Sequence, residues 1–311
     1  MPAAFAPSTA HGSSVRLVTS AADLAALRGP WNEVAANCRG RSLFLAHEWF
    51  DAAWQWRQAT SRLYVLCYYR AQRLAAVLPL AAQAANARGV AVRELTFLTV
   101  PDTQWCDVVV AESDVEDAVA AFASELQRRQ AEWDVLRLKY LSAHSVAGSV
   151  LGAALARLRL AVRCVDAPGN CYIPLDGTWA DFYATRSRRL KKANNLAGNR
   201  LRRAGEVRID WHAPGIPGAG TIDDIVARVT SISATSWKSE TGNSLENPGP
   251  QAFIRRLSDL ATERRWLSIW LLSLDGRPAA MEYQLIADGD VFGLRSDFDA
   301  GLEDVSPGST L

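Results

Sequence analysis

Three runs of apolar and aromatic residues close the chain, and short turn signals separate them. The runs are Trp266–Leu274, Pro278–Ile286 and Asp290–Ser296. Asp275-Gly276 and Asp288-Gly289 stand between them, and Asp-Gly between two apolar runs is a strong signal for a two-residue hairpin turn. The pattern therefore predicts three consecutive antiparallel strands.

Strands and helices alternate along the rest of the chain. Helical periodicity predicts Ala21–Asn37, His47–Gln58, Asp114–Ala131, Val146–Arg159, Thr178–Ala204, Ile222–Trp237 and Pro250–Arg265. Alternating or short apolar runs predict strands at Leu63–Tyr69, Arg73–Ala82, Glu94–Thr99, Asp107–Val110, Asp134–Leu141, Ala161–Val165, Cys171–Leu175 and Glu206–His212. This order of elements indicates a mixed α/β fold.

Length and punctuation divide the chain into a tail and two domains. A chain of 311 residues is long enough for two domains. The start is rich in Ala, Ser and Pro, and Ala167-Pro168-Gly169 marks a break. We therefore expect a disordered tail over residues 1–14, an amino-terminal domain over 15–168 and a carboxyl-terminal domain over 169–311.

A faint internal repeat relates the two halves. Leu63–Leu80 aligns without gaps on Leu267–Gln284, and each copy is an apolar strand, a turn, an Arg and an Ala-Ala strand. Chance similarity between two hairpins and a duplicated domain both explain it. The copies differ where the second has Glu282 and the first has Leu78, which makes the carboxyl-terminal half the better candidate for chemistry.

Composition excludes several classes of protein. Lys and Arg number 34 against 33 Asp and Glu, so no overall field favours DNA or a membrane surface. The five cysteines are scattered and lack CxxC spacing, so we expect neither a disulfide framework nor a metal site. No uninterrupted apolar stretch approaches ~18 residues, and no secretory leader is recognisable. We therefore expect no transmembrane segment and a cytoplasmic location.

A basic run is the strongest anomaly in composition. Between Asp181 and Glu206 the chain carries eight cations and no acid. Among these, Arg186, Arg189 and Lys192 are candidates for holding the phosphates of a cofactor or a nucleotide-linked substrate. A solvated, charged helix explains the run equally well.

Carboxylates in the closing strands are the candidates for acid–base chemistry. If Glu282 lies at a cleft, partial burial would raise the pKa of its carboxyl and suit it to act as a general base. A Glu282 that faces solvent is an equally simple interpretation. Asp297 is the second catalytic candidate, and it equally suits a loop cap. Trp237, Lys238 and Arg295 are candidates for binding the acceptor substrate.

The small-residue turn Ser306–Thr310 follows the third strand. Such a turn can leave backbone N–H groups unpaired where a helix would begin, and those groups bind phosphate. We expect Ser306, Pro307, Gly308, Ser309 and Thr310 to form that site, and we expect the sequence to be truncated just beyond it. Signatures of a covalent nucleophile are not recognisable, which favours direct attack of an acceptor on a thioester.

Three segments together resemble one known family. They are Trp237–Gly242, Leu274–Ala280, and Ser296–Asp299 leading to Ser306-Pro307-Gly308. The chain is similar in these segments to the GNAT-like acyltransferases typified by the cellulose-biosynthesis protein CelD/BcsL, which are related to the FemAB peptidyltransferases. The likeness extends over about Leu43 to Leu311 and is most specific in the second half.

The resemblance implies tandem GNAT-like domains, each with a mostly antiparallel sheet flanked by helices. It further implies acetyl-CoA or another acyl-CoA as co-substrate, with the pyrophosphate on the Ser306–Thr310 turn. The acceptor would be a small molecule or a glycan or envelope precursor, and the protein would associate with polysaccharide-synthesis proteins. Two alternatives remain: FemAB-like aminoacyl transfer from charged tRNA, and a non-catalytic scaffold.

Overall fold

The computed structural model describes residues 12–40, 42–167, 169–216, 220–238 and 242–311. The chain divides into two compact units, Met1–Val165 and Asp166–Leu311. Most of the expected disordered tail, residues 1–11, lies outside the described residues. The expectation is wrong for Ser13 and Ser14, because both belong to the first strand, which pairs with Tyr69 and Arg70.

The amino-terminal unit is built on a sheet of six strands. Its elements are β1 Ser13–Val18, α1 Ala21–Ala26, α2 Arg28–Ala35, α3 His47–Arg57, β2 Ser61–Arg70, β3 Arg73–Ala87, β4 Val90–Phe97, β5 Val109–Val110, α4 Val115–Arg128, β6 Val135–Arg137 and α5 Gly152–Arg157. The strand order is β1-β2-β3-β4-β6, with β5 beside β3. All pairs are antiparallel except β4 with β6, which is parallel.

Large aromatic side chains form the core of this unit. Trp31 of α2 and Phe50 of α3 are completely buried and lie with ring centroids 5.1 Å apart. From α4, Phe122 packs edge-on against Tyr68 of β2. Because each aromatic ring buries about 150–250 Å² on folding, these contacts hold the helices on the sheet.

The carboxyl-terminal unit has a four-stranded antiparallel sheet. Its elements are α6 Trp179–Ala184, α7 Arg188–Ala204, β7 Val207–His212, α8 Ile222–Ala234, α9 Pro248–Glu263, β8 Leu267–Leu274, β9 Arg277–Ala287 and β10 Asp290–Phe298. The strand order is β10-β9-β8-β7. The predicted meander of three consecutive strands is confirmed by the registers of β8 with β9 and of β9 with β10.

The two aligned hairpins share an irregularity. The register of β2 with β3 shifts beside Tyr68, and that of β8 with β9 shifts beside Leu272, the residue aligned with Tyr68. Each shift leaves one extra residue on the returning strand, Ala75 in the first hairpin and Ala279 in the second. Because β-bulges are retained within protein families, a bulge at the aligned alanine of both hairpins favours a duplicated domain over chance similarity.

Some predicted elements are wrong. Ala161–Val165 and Cys171–Leu175 contain no strand residue, because neither segment pairs with another strand in the described part of the chain. The long helix expected over Thr178–Ala204 is two helices. Ser187 separates them, since its side chain caps α7 by accepting a hydrogen bond from the backbone N–H of Leu190.

Candidate functional site

Glu282 lies at the centre of the β8-β9-β10 sheet. Its direct neighbours across the two ladders are Trp270 on β8 and Ser296 on β10. Directly opposed residues of antiparallel strands point to the same face. Glu282, Trp270 and Ser296 therefore share one face of the sheet, which we call the Glu282 face.

The environment of Glu282 disfavours its ionised form. The pKa of the half-buried Glu282 carboxyl is raised above its usual value, chiefly because burial removes water from the carboxylate. The Ser296 side chain and the Lys238 ammonium oppose this shift, and the Asp297 carboxylate adds to it. A raised pKa brings a carboxyl closer to the range in which a general base works at neutral pH.

Lys238 connects Glu282 to Asp297. The Lys238 Nζ donates to the carbonyl oxygen of Ser296 at 2.8 Å and lies 2.7 Å from Asp297 Oδ1. The Asp297 carboxylate is buried, and this close ion pair compensates its charge. Lys238 is thereby held in place beside the Glu282 carboxyl.

Asp297 and Arg295 lie on the opposite face of the sheet from Glu282. Asp297 pairs with Met281, and Arg295 with Tyr283. Both are buried, and Arg295 Nη1 donates to the carbonyl oxygen of Asn243 at 2.7 Å. In this structure neither side chain has open access to a substrate, which argues against the predicted direct contacts of Asp297 with reacting groups and of Arg295 with an acceptor.

Trp237 and Lys238 are placed differently from each other. The Trp237 side chain is 61% exposed, and Lys238 Nζ lies 5.8 Å from the centroid of its ring. An exposed ring next to a cation is a suitable surface for an acceptor. Residues 239–241 of the motif that begins with Trp237 lie outside the described residues.

The turn after β10 differs from its prediction. Pro307–Ser309 forms one turn of 3₁₀ helix, and the amides of Ser309, Thr310 and Leu311 donate back to the carbonyl oxygens of Ser306 and Pro307. The Ser306 amide donates to the carbonyl oxygen of Glu303, so the prediction of unpaired amides is wrong for Ser306, Ser309 and Thr310. Pro307 has no N–H group to offer. Phosphate binding by these amides requires the turn to open.

Close packing explains the glycine of this turn. A Cβ atom on Gly308 would lie 3.3 Å from Cδ1 of Phe298, so a larger residue would force the two apart. Pro307 is buried, and both Phe298 and Leu311 pack on an apolar cluster that includes Leu201 of α7. The turn is thus partly seated on hydrophobic side chains, where the sequence predicted an exposed anion site.

The turn and Glu282 lie on the same face of the sheet. Phe298 is paired with Ala280, which is two positions before Glu282 on β9. At about 3.4 Å per residue, Glu282 lies ~7 Å along the strand from the point that the turn covers. The structure therefore brings together the carboxylate and the turn, two features that the sequence located separately.

The basic helix does not bring its predicted residues to the turn. Arg186 lies over the ring of Phe182 at 4.3 Å, and Arg189 and Lys192 are exposed on the first turns of α7. The helix meets the turn near Leu201. At 1.5 Å per residue, Lys192 lies about 14 Å along the axis from Leu201, and the other two lie further away.

An aromatic pair on the Glu282 face was not predicted from the sequence. Trp211 and Trp270 stack with ring centroids 5.5 Å apart and an interplanar angle of 15°. Alternation along β7 separates Trp211 from Asp210, which is a usable signal. The pairing of β7 with β8, which the sequence does not determine, is what makes the two rings neighbours.

The described residues contain neither a membrane-spanning helix nor a cluster of metal ligands. None of the helices in the described ranges is both long enough and apolar enough to cross a membrane. The described side chains contain no group of three or more His, Cys, Asp or Glu arranged to hold a metal ion.

Comparison with known proteins gives one domain match. Residues 187–311 match the family model of the acetyltransferase (GNAT) domain. No curated protein matches the chain in sequence.

Comparison with solved structures supports the fold. FemX is similar with a TM-score of 0.54 at 11% identity, over 96% of this chain and 83% of FemX. A tandem GNAT protein from the clavulanic acid biosynthesis pathway has a TM-score of 0.41 at 11% identity, over 96% and 83% of the two chains. The carboxyl-terminal domain of a putative lysylphosphatidylglycerol synthetase from Agrobacterium fabrum has a TM-score of 0.41 at 11% identity, over 90% and 69%. The chain therefore has a GNAT-type fold similar to that of FemX, and its residues 187–311 carry the match to the acetyltransferase (GNAT) domain.

Proposed function

We propose that this protein is an acyltransferase that moves an acetyl or larger acyl group from acyl-CoA to an amine or hydroxyl group of a sugar or envelope precursor. The domain match supports acyl transfer. The motifs similar to CelD/BcsL support a glycan acceptor, a role in exopolysaccharide or cellulose synthesis beside other polysaccharide-synthesis proteins, and a cytoplasmic location.

One observation carries the proposal. Glu282 is half-buried with a raised pKa, and it lies on the sheet face that the Ser306–Thr310 turn covers. A carboxylate held in this way accepts a proton from an acceptor amine or hydroxyl group, directly or through one water, and so makes that group more nucleophilic. Such a base contributes about 10²–10⁴-fold to a rate.

The other predicted residues take supporting roles. Lys238 stabilises the ionised form of Glu282, and Asp297 holds Lys238 in position through the ion pair. We therefore assign Asp297 a positioning role. Trp237 offers its exposed ring to the acceptor.

The Ser306–Thr310 turn, as it is folded, is poorly suited to hold the phosphates of a donor. The amides of Ser309, Thr310 and Leu311 are engaged within the turn, so the turn as it stands has no ready cradle for a pyrophosphate. Arg186, Arg189 and Lys192 would reach donor phosphates only with a long substrate, since they lie along the helix away from the turn.

Aminoacyl transfer from charged tRNA is the second candidate. The fold similarity to FemX and the exposed cations of α7 favour it. A non-catalytic scaffold of a polysaccharide machine is the third candidate, and it predicts that no donor of either kind binds.

Thermal melting of the protein with each donor separates the three candidates. Acetyl-CoA at millimolar concentration is expected to raise the melting temperature, because a ligand that binds only the folded state stabilises it. Transfer of a labelled acetyl group to amino sugars then tests turnover. Glu282→Gln is expected to lose this activity, and Glu116→Gln, which changes an exposed residue on α4, is the control that should keep it. A shift with aminoacyl-tRNA alone would favour the second candidate, and no shift with either would contradict an enzyme.

A further inference from the structure

A polar cavity of about 340 Å³ lies within the amino-terminal unit, outside the site described above. It opens where β4 runs parallel to β6 and where α3 ends. The charged and polar groups that matter to its chemistry are Arg57, Gln83, Glu94, Arg137, Lys139 and Tyr140. Three of these six are cations and one is a carboxylate, so the lining suits a polar, negatively charged ligand better than an acyl chain.

Arg57 is a half-buried cation whose hydrogen-bond partners are all neutral. Its Nη1 donates to the carbonyl oxygen of Thr99 at 3.0 Å, and its Nη2 donates to Ser61 Oγ at 3.1 Å and to Gln83 Oε1 at 2.5 Å. No carboxylate in the described structure forms an ion pair with it. The Arg57 Nε also donates to Ser61 Oγ at 3.3 Å. These four contacts fix the guanidinium in place while leaving its charge without a direct counterion.

Desolvation makes that arrangement costly. Burial lowers the pKa of Arg57, although the nearby Glu94 carboxylate opposes the shift. Buried charges in proteins are generally paired, because an unpaired charge loses its hydration without compensation. An anion bound in this cavity would supply the opposite charge that Arg57 lacks.

Glu94 forms an ion pair with Arg137 and not with Arg57. Glu94 is 6% exposed, and Arg137 Nε donates to its Oε1 at 2.5 Å while Gln83 Nε2 donates to its Oε2 at 3.3 Å. The one carboxylate of the lining therefore lies between two guanidinium groups. It neutralises one positive charge and cannot neutralise both.

Lys139 adds a third positive charge at the rim. Its side chain is exposed and forms no hydrogen bond or ion pair with the described residues. With Glu94 balancing one of the three cations, the lining keeps a net charge of about two positive. A phosphate monoester or a diphosphate matches this charge, whereas a single carboxylate group matches half of it.

We propose that this cavity binds a small phosphorylated molecule, with Arg57 and Arg137 facing the phosphoryl group and Lys139 at the entrance. The volume lies in the range of about 300–1,000 Å³ that small-ligand sites occupy. The proposal does not rest on the acyltransfer chemistry of the carboxyl-terminal unit. It gives the amino-terminal unit, whose hairpin lacks the glutamate, a binding role of its own.

Equilibrium binding tests the proposal directly. Titration of the full chain with inorganic phosphate and with pyrophosphate, followed by calorimetry, is expected to show saturable binding that weakens as salt increases. Acetate at the same concentration is expected to bind at least tenfold more weakly. Lys139→Glu leaves the Arg137–Glu94 pair intact, so we expect it to fold normally and to weaken pyrophosphate binding at least tenfold.

Two further variants keep the test falsifiable. Arg137→Gln removes a cation that faces the cavity and is expected to weaken binding as strongly as Lys139→Glu, with folding checked by thermal melting. Arg73→Glu makes the same kind of change at an exposed position outside the cavity and is expected to leave binding unchanged. Pyrophosphate binding that is absent at millimolar concentration, or that is equal in all of these proteins, would overturn the proposal.

Discussion

The two aligned hairpins have the same backbone and different chemistry. In the first, Leu78 of β3 pairs with Leu66 of β2, and both side chains are completely buried. In the second, the aligned pair is Glu282 with Trp270, and the glutamate is half-buried. The first hairpin shows that this backbone forms equally well with leucine at the aligned position. A glutamate that the fold does not need, and whose ionisation the fold disfavours, is better explained by function than by structure.

The polar chemistry of the amino-terminal unit lies elsewhere in its sheet. Arg57 and Glu94 stand at the edge where β4 meets β6. In the carboxyl-terminal unit, the charged cluster of Glu282 and Lys238 stands at the β9–β10 pair. One scaffold therefore supports two different polar sites, because each depends on a few side chains and leaves the hairpin itself unchanged.

The largest effect is expected from giving the first hairpin the glutamate of the second. Leu78→Glu places a carboxylate in a site with 0% exposure, opposite Leu66, and we expect a loss of at least about 3 kcal/mol in unfolding free energy. Chemical denaturation measures the loss. Leu78→Met is the matched control and is expected to cost less than about 1.5 kcal/mol. Equal stability of the two variants would mean that the hairpins tolerate the same chemistry.

The reverse exchange, Glu282→Leu, is expected to remove transfer activity and spare the fold. We expect at least a 100-fold loss of acyl transfer, since a general base contributes that much. The raised pKa means that the native state holds a proton more tightly than the unfolded chain does. Above the usual value of 4.5, stability therefore falls as the pH rises through the raised pKa, and at neutral pH the ionised Glu282 is destabilising.

Glu282→Leu should therefore be at least as stable as the parent protein at neutral pH. Thermal melting across the acidic range checks this, with Glu282→Gln as the variant that preserves shape. Glu282 would be shown to have a structural role if Glu282→Gln were strongly destabilised and lost activity only in proportion to the loss of folded protein.

Two charge changes beside Glu282 are expected to move its titration in opposite directions. Lys238→Met removes the cation that lowers the pKa of Glu282, so the acidic limb of the pH–rate profile should move to higher pH. Asp297→Asn removes a carboxylate that raises this pKa, so the limb should move to lower pH. Lys238→Met should also cost about 2 kcal/mol of stability, because it leaves a buried carboxylate without its cation.

The control for this pair is Arg277→Met, an exposed cation at the start of β9. It should leave the profile in place. Shifts of Lys238→Met and Asp297→Asn in the same direction would contradict the assignment of Glu282 as the titrating base.

The smallest effect is expected from the hairpin turns. Both central residues of each turn have positive φ, at 51° and 77° for Asp275-Gly276 and at 49° and 65° for Ala71-Gln72. This conformation suits Asn, Asp and Gly and strains Ala and Gln. Gln72→Gly should stabilise the amino-terminal unit by about 1 kcal/mol, and Gly276→Gln should destabilise the other unit by a similar amount.

Denaturation curves of Gln72→Gly and Gly276→Gln measure the two changes in unfolding free energy. A Cβ atom on Gly276 would contact no neighbour within 4 Å, so backbone conformation alone sets the effect there. Gln72→Ala keeps the strain and should remain close to the parent protein. Equal stability of Gln72→Gly and Gln72→Ala would contradict this account.

Local signals in the sequence were sufficient for the closing meander and for most helices. Asp275-Gly276 and Asp288-Gly289 determine two-residue turns within the residues themselves, so the three strands around them were predictable. Alternation alone failed at Ala161–Val165, because a strand needs a partner and the pattern of one segment does not say whether a partner exists.

The sequence by itself determined the order of the hairpins and the candidacy of Glu282, since these follow from turn residues and periodicity, and its motifs carried the resemblance to GNAT-like acyltransferases. Tertiary structure alone decided that Lys238 stands beside Glu282, that Asp297 is buried behind it, and that the turn at Gly308 is closed over Phe298. It alone placed Arg57 among neutral partners in a cationic cavity. These facts depend on strand register and on contacts between residues far apart in the chain, and burial acts on side chains only after those contacts have formed.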